Sequence, residues 1–105
     1  MKKAPIKALK VMLEYKSTGL FIVDPPERIG EIAHENLNLS HQLSEALYVW
    51  IKQYDATLDW DDPGHSPPPP PDVIIMLNKE GERLTQLVQN ELGSQIRVYY
   101  SPITQ

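Results

Sequence analysis

The segment VIIMLNKEGERLTQLVQNEL, residues 73–92, admits two secondary structures, and the architecture of the chain turns on the choice between them. Its first five residues, VIIML, have the β-branched character of a strand. Over the whole stretch, however, Ile74, Leu77, Gly81, Leu84, Val88 and Leu92 recur at spacings of three or four, which lines one face of a helix. Asp72 stands where it can cap such a helix, and Gly93 follows as a stop. These signals predict a helix over 73–92, with a strand at 73–77 as the alternative. Gly81 inside it costs about 1 kcal/mol against alanine, so it marks a place where a facing helix or strand comes close.

Upstream, Pro63, Gly64 and the run Pro67 to Pro71 exclude a helix, since proline fixes φ and removes an N–H donor. The segment Asp62 to Pro71 reads as an extended loop about ten residues long, its proline run a stiff connector and less readily a ligand for an aromatic peptide-binding groove. Before it, Ser40 is a candidate N-cap. Leu43, Leu47, Trp50 or Ile51, Tyr54 and Leu58 then trace one apolar stripe, predicting a helix over 41–58. Residues 24–39 show no clean period and are taken as irregular. Near the start, Leu9, Val11, Leu13 and Tyr15 alternate with Lys10, Met12 and Glu14, the pattern of a half-buried strand over Ile6 to Tyr15. Ser17, Thr18 and Gly19 supply a turn, and Leu20 to Val23 form a second strand ended by Pro25 and Pro26. Ile96, Val98 and Tyr100 give a final strand before Pro102. The expected fold is α+β: a small antiparallel sheet, β-β-α-α-β along the chain, with two helices packed on one face.

A chain of 105 residues sustains one modest core, so residues 1–105 are expected to form one domain. Its 41% hydrophobic and 23% charged residues place it with chains that fold unaided. Cysteine is absent, which removes disulfides, thiolate metal sites and cysteine nucleophiles. Lys7, Lys10 and Glu14 interrupt any early apolar run, so no signal peptide or membrane span is expected, and the cytoplasm is the expected compartment. The net charge of −4 is unevenly laid out. Residues 17–72 carry ten acids against Arg28 and Lys52, a balance of −8, while the first sixteen carry five lysines and one glutamate. An acidic middle of this kind repels nucleic acid and draws basic proteins toward it.

Asp55, Asp59, Asp61 and Asp62 raise the question of a hard-cation site. A calcium loop counted from Asp59 finds Gly64 at its sixth position but Pro70 at its twelfth, where a glutamate is required, so neither a metal nor another cofactor is expected. His34, His41 and His65 lack a neighbouring nucleophile, and there is no phosphate-cradling glycine loop, so each is taken as a surface residue and the protein as non-enzymatic. Trp50 lies on the helix stripe and belongs to the core. Trp60 sits among charges, where it either folds back over the core or, exposed, resembles a binding anchor. Lys2, Lys3, Lys7, Lys10 and Lys16 read as guards of a solvated strand edge.

The stretches KALKVMLEYKSTGLFIVD (7–24), LSEALYVWIKQYDATLDWDDP (43–63) and EGERLTQLVQNELGSQIRVYY (80–100) resemble a family of small single-domain bacterial proteins. These in turn are similar to the immunity partners encoded beside secreted toxins, including those of contact-dependent growth inhibition. Tyr54 to Leu58 and Asp61, Asp62 and Pro63 match the family motif, and the proline run at 67–71 departs from it. The resemblance implies a toxin-neutralising protein that needs no catalytic group. Together with the charge layout, it implies a partner that is the C-terminal domain of a basic nuclease toxin, an RNase by preference, met through Asp55, Asp59, Trp60, Asp61 and Asp62. The alternatives are a small metal-dependent hydrolase built on Asp59, Asp61, Asp62 and His65, and a regulatory subunit without enzymatic activity.

Overall fold

The computed structural model describes residues 4–58 and 67–103. Strands β1 (Ala8–Met12), β2 (Leu20–Asp24) and β3 (Gly30–Glu31) precede helices α1 (His41–Asp55) and α2 (Pro71–Leu92), and β4 (Arg97–Ser101) closes the chain. Short 3-10 turns at Pro26–Arg28 and His34–Leu37 flank β3.

The α+β class is as expected, and the segment at 73–77 is helical. Its apolar stripe is the reason. Ile74, Leu77, Gly81, Leu84 and Val88 are all buried on one side of α2, whereas Ile75 and Met76 are exposed on the other. The helix begins two residues earlier than expected, with Pro71 in its first turn, where a missing N–H costs nothing. Asp72 therefore lies inside that turn and makes no cap hydrogen bond; its charge faces the positive end of the helix instead. In α1 the Ser40 hydroxyl caps the helix as its sequence position suggested, accepting from the Leu43 N–H at 3.2 Å. The helix ends at Asp55, so residues 56–58 continue as a turn.

The sheet departs from the expectation in two ways. It has four strands in the order β3-β2-β1-β4, and it is mixed: β1 pairs antiparallel with β2 and parallel with β4. Strand β3 was hidden because two residues, one of them glycine, carry no period. The parallel pairing follows from the helical hairpin, which returns the chain to the far side of β1 in the direction β1 already runs. A second correction follows. Strand β1 is interior, so Lys10 guards no edge; it lies on the helix-free face, 5.9 Å above the Phe21 ring and opposite Tyr99.

On the other face, Leu9, Val11, Leu13, Leu20, Ile22 and Val98 pack with Leu43, Leu47 and Trp50 of α1 and with Leu77, Leu84 and Val88 of α2. Trp50 is 1% exposed, at the centre of that core, and donates its indole N–H to the Leu77 carbonyl at 2.9 Å. Strand β4 is tied to α2 by side chains. Gln89 donates to the Ile96 carbonyl and accepts from the Val98 N–H, and Asn78 accepts from the Ile103 N–H and from the Tyr100 hydroxyl.

Candidate functional site

Two acidic residues of the middle segment, Asp55 and Glu31, converge on the turn between β1 and β2. Ser17 and Thr18 fold this turn locally: the Ser17 hydroxyl donates to the Glu14 carbonyl and accepts from the Gly19 N–H. Lys16 adopts the left-handed conformation, φ 55°. Two carboxylates from elsewhere in the chain then hold the turn. Asp55, the last residue of α1, accepts from the Lys16 N–H at 3.1 Å, and Glu31 of β3 accepts from the Thr18 N–H at 2.9 Å. The end of α1 and the edge strand of the sheet thus meet on this turn, at Lys16 and Thr18.

Beneath the turn lies His34, which is 3% exposed and corrects the expectation of three surface histidines. Its Nε2 donates to the Thr18 carbonyl at 2.7 Å, since a carbonyl only accepts, and its Nδ1 is 2.7 Å from the Ser44 hydroxyl. Tyr48 packs against the imidazole at 4.9 Å between ring centres. No local pattern marked His34 as buried; its place is set by contacts to residues ten and sixteen positions away. His41, by contrast, is exposed. His65 lies outside the described residues.

On the other side of the turn, Tyr15 and Tyr54 stack at 4.4 Å with an interplanar angle of 7°. Burial pushes the Tyr54 hydroxyl up to about 12, helped by the hydrogen bond with Tyr15 and by the negative charges of Tyr15 when ionised, Asp55 and Glu14.

Of the residues expected to meet a partner, Asp55 is half-buried at this junction and has a structural duty there. Asp59, Trp60, Asp61 and Asp62, which follow it in the chain, lie outside the described residues. The remaining acids fall into two groups. Asp24, Glu27, Glu31 and Glu35 are exposed along β2, β3 and the 3-10 turns, with Arg28 tied to the Ala4 carbonyl at 2.8 Å, while Glu45 and Asp72 are exposed on the helices. Sequence order concealed the role of Glu31, which reaches the turn from thirteen residues away. Among the described residues, no three His, Asp or Glu side chains gather as a metal-binding group, and no helix is long and apolar enough to cross a membrane.

A family model described as Serratia CdiI immunity protein-like matches residues 7–103, and the chain belongs to that family. No curated protein matches the chain.

Proposed function

We propose that this protein is a cytoplasmic immunity protein that neutralises a toxin encoded beside it by binding the toxin's C-terminal domain, and that the toxin is a basic nuclease, an RNase by preference. The observation that carries this reading is the family match over residues 7–103, joined to the −8 balance of residues 17–72. A nuclease must present positive charge to the phosphate backbone of its substrate. An acidic protein surface competes for that charge directly, and it raises the encounter rate at low salt.

The partner surface in this reading spans the end of α1 and the acids that follow it. Asp55 anchors the junction through the Lys16 N–H. Asp59, Asp61 and Asp62 supply charge, and Trp60 supplies an aromatic anchor of the kind that carries a large share of interface energy. No catalytic group takes part, because blocking the toxin requires only occupancy.

Co-expression of the chain with the domain encoded by the adjacent reading frame tests the proposal. The expected result is a complex that survives purification at low salt and weakens as salt rises. Absence of a complex with any adjacent toxin domain sinks the reading.

A further inference from the structure

The two edges of the sheet are finished differently, and the difference points to where a partner adds. Along β4 the side chains of α2 engage the outward main chain at the Val98 N–H and just beyond both ends of the strand. Gln89 Nε2 donates to the Ile96 carbonyl at 2.7 Å, Gln89 Oε1 accepts from the Val98 N–H at 2.8 Å, and Asn78 binds both the N–H and the carbonyl of Ile103 at 2.9 and 3.2 Å. Pro102, between them, has no N–H to offer. These side chains stand where the backbone of a further strand would run.

The β3 edge has no such covering. The Ile32 N–H donates to the Leu20 carbonyl at 3.0 Å and the Ile32 carbonyl accepts from the Thr18 hydroxyl at 2.7 Å, so this residue faces inward to β2. Glu31, its neighbour, opposes Phe21 as the non-bonded member of the ladder and turns its own N–H and C=O outward. No described residue bonds to them. Beside this edge runs an open cleft lined by Ile22, Glu27, Ile29, Glu31, Ile32 and Asn36, and Ile29 is 67% exposed at its rim. Neither lysine nor proline stands at residues 29–33 to blunt the edge.

We propose that β3 is a strand-addition site, at which a short extended segment of the toxin, rich in lysine or arginine, pairs its main chain with Glu31 and lays its side chains over the cleft. The inference rests on the toxin-binding reading above. The occupant is chosen by charge: Glu27 and Glu31 line the cleft, and the exposed Asp24 and Glu35 stand three and four residues from them in the chain, against Arg28, whose guanidinium is engaged with the Ala4 carbonyl. A second copy of the chain would bring the same acids face to face, where like charges directly opposed across strands destabilise pairing. Main-chain bonds would supply affinity that is indifferent to side chains, and the flanking carboxylates would supply preference for basic residues. Because Glu31 also holds the Thr18 N–H, the added strand would abut the turn that Asp55 clamps from α1.

The test is amide hydrogen exchange of the chain alone and mixed with the adjacent toxin domain, together with the binding of a Glu27→Lys/Glu35→Lys variant. Both substituted side chains are exposed. The expected result is slowed exchange across residues 29–33, unchanged exchange across 96–101, and affinity reduced roughly tenfold or more at low salt in the variant. A complex in which exchange at 29–33 is unchanged overturns strand addition while leaving toxin binding intact. Concentration-dependent protection of 29–33 in the chain alone assigns the edge to self-association and overturns it equally. Absence of any complex removes the toxin-binding reading, and this inference with it.

Discussion

Trp50 lies against the bare backbone of Gly81: a Cβ on that glycine would stand 2.7 Å from the indole Cζ2 and closer still to the Tyr100 ring. The indole N–H is fixed by the Leu77 carbonyl one turn earlier in α2, so the ring has little freedom to withdraw. The glycine that weakens α2 in isolation is therefore what lets α1, α2 and β4 close on one another, as its position in the stripe had suggested.

Gly81→Ala should destabilise the protein despite improving the helix. Overpacking costs about 1–3 kcal/mol, and the gain in helix propensity returns about 1, for a net loss of up to about 2 kcal/mol. Urea denaturation should show a lower midpoint with an unchanged slope. An unchanged midpoint would mean that the rings make room.

His34→Ala should cost about 1–3 kcal/mol, because it strands the Thr18 carbonyl beneath the turn and leaves the Ser44 hydroxyl without its ring partner. His41→Ala, at an exposed position of α1, should stay within about 0.5 kcal/mol of the parent. Equal effects for the two would contradict the burial that separates them.

Two of the five tyrosines should titrate late. Burial pushes Tyr54 and Tyr100 up to about 12, the Tyr54 shift reinforced by the hydrogen bond with Tyr15 and the Tyr100 shift by the charge of Glu82. Their folded-state values lie above the ordinary 10.0, so the fold favours the protonated hydroxyl. That contribution to stability is fully present below pH 10, and it is lost as pH rises toward 12. Ultraviolet absorbance followed against pH should show a phenolate step with two tyrosines delayed relative to the unfolded chain. A single step at the ordinary value would place both rings in water.

The parts of the fold legible in the sequence were those with a strong local signal. The stripe from Ile74 to Val88 outweighed the strand character of VIIML because burial of a continuous face stabilises a helix more than residue preference does. Ser40 and Gly81 were likewise local: one caps through its own hydroxyl, and the other carries no side chain. What escaped depends on partners distant in sequence. Strand β3 exists because Phe21 and Ile22 offer it a ladder, His34 is buried because Thr18 and Ser44 receive it, and β4 runs parallel to β1 because two helices separate it from β2. In the candidate site the same division holds. Asp55 was legible as an acid near a helix end, but its bond to the Lys16 N–H spans thirty-nine positions, and the Tyr15–Tyr54 stack beside it joins a strand end to a helix end.

Stopped-flow association with the adjacent toxin domain measures whether an acidic surface draws a basic toxin to this protein. The parent chain is compared with an Asp59→Asn/Asp61→Asn/Asp62→Asn variant across a range of salt concentrations. The variant should associate more slowly at low salt, and the difference should close as salt rises, with dissociation changed less. Association rates that are the same for both proteins at every salt concentration would contradict that attraction.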